Sequence, residues 1–191
     1  MPVAANKASA QPAMRMTVSR RTLAKPLVKP ARSAELKAIA YLPREGVQGF
    51  VTRVSRATSL QLIATERAGV RGGLIKDLAR QLNLPATRLF EMLGVAKATA
   101  EKKAATNEAL TGASGQAVLG LVKLLGVVEG IVSRSTHPDA AKFDAARWLG
   151  EWLERPQPAL DGRKPAELVD TPTGVDVVAR LLGSTESGAY Q

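Results

Sequence analysis

The run SGQAVLGLVKLLGVVEGIVSR at residues 114–134 constrains this chain more than any other stretch. Val118, Leu121, Val122, Leu125, Val128 and Val132 fall on one helical stripe, and Leu119, Leu124, Val127 and Ile131 fill much of the remaining circumference. A helix that is apolar nearly all round has to be covered on several sides, so the other elements must be arranged around it. Lys123 and Glu129 interrupt the run, and what remains is shorter than the roughly 18 apolar residues of a membrane span; it reads as a core helix. Its glycines, the Gly126/Gly130 pair among them, allow another helix to approach closely, in a core or at a dimer axis.

The covering elements are also helical. ATSLQLIATERAG (residues 57–69) places Leu60, Ile63 and Ala64 on one face and stops at Gly69, and GLIKDLARQL has Leu74, Leu78 and Leu82 at spacings of four. Pro85 opens PATRLFEMLG as a first-turn proline, with Leu89 and Leu93 inward and Gly94 as the stop. The segment VAKATAEKKAATNEAL begins almost at once. HPDAAKFDAARWLGEWLERP (residues 137–156) reads as one segment between Pro138 and Pro156, packing through Phe143, Ala146, Trp148, Leu149, Trp152 and Leu153. SAELKAIAYL (residues 33–42) reads as a short helix, and VQGFVTRVS as a strand or a helix fragment. Strand signals are otherwise scarce, so the expected fold is all-α. At 191 residues it is one domain with a tail, or two small modules sharing a core.

Charge divides the chain. Residues 1–56 carry eleven lysines and arginines against two acidic residues (+9), residues 57–135 carry +4, and residues 136–191 carry −3. One end suits a polyanion and the other does not. Residues 1–32, with no acidic residue and four prolines, cannot bury enough surface to offset ordering entropy and read as a disordered basic arm. SRRTLAK within it has the twin-arginine form of an export signal, but Pro26, Lys29 and Pro30 break the apolar segment that would have to follow. An arginine-rich, acid-free start also fits a mitochondrial presequence, and Met14 and Met16 are alternative starts. With no cysteine in the chain, disulfides, thiolate metal sites and thiol nucleophiles are excluded, which fits a reducing cytoplasm.

No catalytic constellation is present. The single histidine, His137, stands beside Pro138 at a helix start, where it caps or meets solvent. There is no phosphate loop and no dinucleotide fingerprint, hence no cofactor expectation. GASGQ, residues 112–116, lacks the strand and glycine spacing of a nucleophile elbow. The chain is therefore expected to bind rather than to catalyse. The clearest binding pattern is a helix ending at Gly94, a short turn, and a second helix from about Lys97, the layout of a helix-turn-helix. Lys97, Thr99, Lys102 and Lys103 are its expected exposed positions, available for phosphate attraction, against the plainer reading of a solvated lysine-rich helix.

In the tail, Pro165 starts a single turn carrying Leu168, and Thr171–Pro172 is an N-cap and first-turn proline for a last helix with Val175, Val178 and Leu182 on one face. Gly183 and Gly188 loosen its end, so that Ala189, Tyr190 and Gln191 project. Tyr190, amphipathic and beyond the last stripe, suits an interface anchor.

Residues 57–191 as a whole resemble the Xre/MbcA/ParS antitoxins, partners of RES-domain toxins. ERAGVRGGLIKDLARQLNLPATRLFEMLGVAKATAEKK, the long apolar helix, and then Trp148, Leu149, Gly162, Arg163, Pro165, Leu168, Thr171, Gly174, Val178, Leu182, Gly188 and Tyr190 carry the likeness in order and spacing. The family commonly has an arginine pair where this chain has Lys102 and Lys103, which keeps the charge without the planar fork. The resemblance implies an Xre-like helix-turn-helix domain (57–135) and a C-terminal toxin-binding domain (136–191), preceded by the basic, mostly disordered arm (1–56), which is longer than the family pattern requires. It implies a cytoplasmic homodimer that represses its own operon by binding operator DNA. The same protein covers the active-site mouth of an NAD-consuming RES toxin. Toxin contact would come from Arg163, Lys164, Ser187, Gly188, Ala189, Tyr190 and Gln191. The alternative is a stand-alone regulator whose C-terminal domain serves dimerisation.

Overall fold

A computed structural model describes residues 37–186; the basic arm through residue 36 and the terminal residues 187–191, Tyr190 among them, lie outside the described residues. Eight α-helices and one two-stranded antiparallel ladder make up the described part. The fold is all-α, and the described residues 37–186 form one compact unit.

The apolar run is the central helix α6, Gly112–Arg134. It is 23 residues long and apolar enough, by length and composition, to cross a membrane, which corrects the expectation that the run is too short. Ten of its residues are buried inside the protein. Helices α1 (Gly46–Ser55), α2 (Ser59–Ala68), α7 (Ala145–Leu153) and α8 (Pro172–Glu186) pack around it. At Gly126 the α1 side chain of Ser55 occupies the space a Cβ would take, so one of the two spaced glycines admits a neighbouring helix within the core, while Gly130 meets only Arg134 of its own helix. Helices α3 (Gly73–Gln81), α4 (Ala86–Met92) and α5 (Lys97–Thr106) form a second cluster, which adjoins the first through α1 and α3. Strand β1 (Val70–Arg71) pairs with β2 (Ala109–Leu110), Val70 opposite Leu110, and ties the start of this cluster to its end.

Four expectations are corrected. The basic arm does not extend to residue 56: α1 buries Val47, Phe50, Val51 and Val54 against the core. Residues 37–42 form neither helix nor strand. Pro43 disfavours helix in the residue before it, and the segment is held by other means. The Ile39 N–H donates to Thr65 Oγ1 at 2.8 Å, and the buried Tyr41 ring meets Phe50 edge-on at 5.7 Å while its hydroxyl donates to Asp77. On α2 the expected inward face points out, with Leu60 55% and Ile63 40% exposed, while Thr65 is fully buried. Thr65 can be buried because its hydroxyl is satisfied, donating to the Gln61 carbonyl and accepting from Ile39. Residues 137–156 are not one helix. A 3-10 turn, Pro138–Lys142, capped by His137 Nδ1 accepting from Asp139 N–H at 3.3 Å, gives way to α7, where the Asp144 side chain accepts from Arg147 N–H. Asp144 as an N-cap starts a new helix.

The end of the described chain follows its pattern more closely. Thr171 Oγ1 accepts from Gly174 N–H at 3.1 Å, Pro172 occupies the first turn, and Val175, Val178 and Leu182 are buried. Helix α8 nevertheless runs through Gly183 to Glu186, so Gly183 does not loosen it.

Candidate functional site

Helices α4 and α5 are joined by the four residues 93–96. Gly94 takes a positive φ of 61°, and the Val95 N–H returns to the Phe90 carbonyl at 2.8 Å, which closes the turn. Beyond it, α5 is held by little apolar surface: Ala100 is its one buried residue and Ala104 packs beside it. Small residues on the inner face leave the outer face free.

The expected contact residues divide on that helix. Thr99 and Lys102 are exposed and, with Thr106, share one outward face at i, i+3 and i+7; Thr106 is an addition to the expected set. Lys97 is exposed on a flank, its ammonium 4.0 Å from Glu101. Lys103 is not free as expected. It is half-buried, with Nζ 2.7 Å from Glu108, and its hydrogen bond holds the Glu108 carboxyl below the ordinary range. The outward positive charge of α5 therefore rests on Lys102 and, partly offset, Lys97.

A polar joint links this region to the C-terminal helices. Glu154, at the end of α7, accepts from Arg88 of α4 through both carboxylate oxygens, at 2.6 and 3.2 Å, and lies 3.3 Å from Lys164 Nζ. The hydrogen bond from Arg88 is the main cause that holds the Glu154 carboxyl low, and the same bond raises Arg88. Next to the joint, Gly150 of α7 lies so close to the Leu82 carbonyl at the end of α3 that a Cβ there would meet backbone. Lys164, expected as a toxin contact, also braces the loop through Glu154 while its side chain stays partly exposed. Arg163 is exposed; its carbonyl accepts from Gln157 N–H and its N–H donates to Leu160, which shapes the turn ahead of it. Ser187, Gly188, Ala189, Tyr190 and Gln191 fall outside the described residues.

On α7 an aromatic ladder was only partly legible. Trp148 stacks on Trp152 at 5.9 Å and 18°, and Phe143 tilts against Trp148 at 6.0 Å. Trp152 is buried, whereas Phe143, expected to pack inward, is 43% exposed. Near it, Glu129 of α6 is half-buried. Burial pushes its carboxyl above the ordinary range, and a hydrogen bond with Gln48 pulls the other way. A carboxyl whose pKa is raised by folding destabilises the fold when ionised, and that penalty fades as pH falls through the raised pKa. Glu129→Gln should therefore stabilise the protein near neutral pH, by about 0.5 kcal/mol given the screening at a half-exposed site. Urea melts should show that gain shrinking at mildly acidic pH.

Residues 140–188, which include α7 and nearly all of the tail, match a family described as the antitoxin Xre/MbcA/ParS C-terminal toxin-binding domain. That places the chain among the antitoxins of toxin–antitoxin systems, binding proteins rather than enzymes, with a toxin as partner. A curated relative from Sphingobium sp. (strain YBL2), named Prs ADP-ribosylating antitoxin, is 38% identical over 135 residues, 71% of this chain and 84% of the relative. The chain belongs to the Xre/MbcA/ParS-type antitoxin family.

Proposed function

We propose that this antitoxin has two ligands. Its C-terminal module holds a RES-type toxin that consumes NAD and covers the mouth of that enzyme's pocket. Helix α4, its turn and α5 act as a helix-turn-helix that binds operator DNA and represses the shared operon. The protein does so as a cytoplasmic homodimer, because one such motif reads only a half-site.

The observation that carries the toxin half is the match of residues 140–188 to a toxin-binding domain. The relative's name adds chemistry, since ADP-ribosylation takes its ADP-ribose from NAD. A pocket that accepts a dinucleotide pyrophosphate is normally basic, and the −3 charge of residues 136–191 complements it. Arg163, Lys164 and residues 187–191 are assigned to toxin contact, with Tyr190 as anchor and Lys164 bracing Glu154 as well. Co-expression with the neighbouring toxin gene tests this half; failure of the two proteins to co-purify would count against it.

The DNA half rests on the exposed Thr99–Lys102–Thr106 face and on the charge of the remainder of the chain. Replacing Lys97 and Lys102 by Ala should weaken operator binding and lower the slope of log affinity against log salt by about 0.9 for each phosphate that is no longer neutralised. Lys103→Ala should have the smaller effect, because its charge is already spent on Glu108. Titrations at two salt concentrations read this directly, and an unchanged slope for the double variant would remove α5 from the DNA surface.

A further inference from the structure

Phe143 stands between two cavities, and both it and Val132 line each of them. The first, of about 390 Å³, lies at the end of α6 with Ile131 and Ala140 among its apolar walls. The second, of about 430 Å³, is lined by Glu129 and Asp144 together with Gln48 of α1 and Gln81. Among the described residues neither carboxylate has a cation within ion-pair distance: Glu129 interacts with Gln48, and Asp144 accepts the Arg147 N–H at 3.0 Å. An exposed aromatic ring fixed by the Trp148–Trp152 stack, with an apolar hollow on one side and uncompensated carboxylates on the other, has the makeup of an interface anchor point.

We propose that the two cavities form one docking site on the toxin-binding surface. It takes an apolar side chain of the toxin on the Ile131–Ala140 side of Phe143 and a neighbouring lysine or arginine on the Glu129–Asp144 side. Two observations select the toxin as occupant. Ala140, Phe143 and Asp144 belong to the stretch matched to the toxin-binding domain, so the site is continuous with that surface. The acidic side calls for a basic patch on that partner, in keeping with the −3 charge of residues 136–191. Helix α6, Gln48 of α1 and Gln81 of α3 are among the walls outside the match, so the toxin surface extends beyond the matched residues. The site rests on the reading that this chain holds a toxin, and it is separate from the pocket-covering tail.

The test measures the dissociation constant of the purified neighbouring toxin for wild-type antitoxin, Phe143→Ser and Glu129→Gln, alongside the Tm and oligomeric state of each antitoxin alone. Each variant should bind about tenfold or more weakly, and Glu129→Gln should also show a smaller salt dependence, with both folds intact. If Phe143→Ser fails to fold, the isosteric Glu129→Gln decides by itself. Wild-type binding with both variants unchanged overturns the docking site and leaves toxin binding standing. No binding by wild type overturns both. A change of antitoxin self-association in the variants would make a second copy of the chain the occupant and overturn the proposal.

Discussion

Leu121→Ala should lower the stability of this protein by about 3 kcal/mol, since removing a buried leucine side chain costs its transfer energy plus that of the cavity left behind. Leu121 is fully buried in the middle of α6. For a chain of this size the loss corresponds to a Tm lower by about 10 °C. The form of the change matters as much as its size. Helix α6 packs with α1 and α2 as well as with α7 and α8, and the Arg88–Glu154 joint fastens α4 to the C-terminal helices. The helix-turn-helix region and the toxin-binding region should therefore melt together, in one transition that shifts as a whole. Calorimetry checks this. Two transitions, of which only one moves, would mean that residues 57–135 and 136–191 fold as separate domains.

Removing Ala189, Tyr190 and Gln191 should have the largest functional effect with almost no structural one. The core packing of α8 comes from Val175, Val178, Leu181 and Leu182, all upstream of the deletion. The truncated antitoxin should keep its Tm and its operator affinity. It should still associate with the toxin through the docking site around Phe143 and the exposed Arg163. It should fail to suppress NAD consumption, because binding and pocket covering are assigned to different parts of the chain. Equal inhibition by truncated and full-length protein would move the covering surface to α7 or to the outer face of α8.

Legibility in the sequence followed the physical range of each signal. Helix α6 was readable as a helix because its apolar residues run nearly all round at helical spacing, and the start of α8 because Thr171–Pro172 is a local cap. Helix α1 was ambiguous because Val47, Phe50, Val51 and Val54 are β-branched or aromatic residues in only ten positions, a pattern a strand also produces. The orientation of α2 was hidden because Thr65, a polar residue, takes the buried position through two hydrogen bonds, one of them to a residue 26 positions away. The same limit applies to the interfaces. Lys103 looked free until its partner Glu108 came within reach, and the bond of Lys164 to Glu154 was hidden because Glu154 is itself held by Arg88, 66 residues away in sequence. The two-sided cavity around Phe143 draws on α1, α3, α6, the turn before α7 and the start of α7, and no motif in the sequence joins them.

The most direct test of the antitoxin reading is a titration of NAD turnover. A purified RES-type toxin, the product of the adjacent reading frame if that frame encodes one, is supplied with NAD, and full-length antitoxin is added in steps up to molar excess. The predicted result is a loss of NAD consumption that completes near a fixed stoichiometric ratio. Undiminished NAD consumption at saturating antitoxin, with the two proteins still bound to each other, would contradict neutralisation by covering the toxin's pocket.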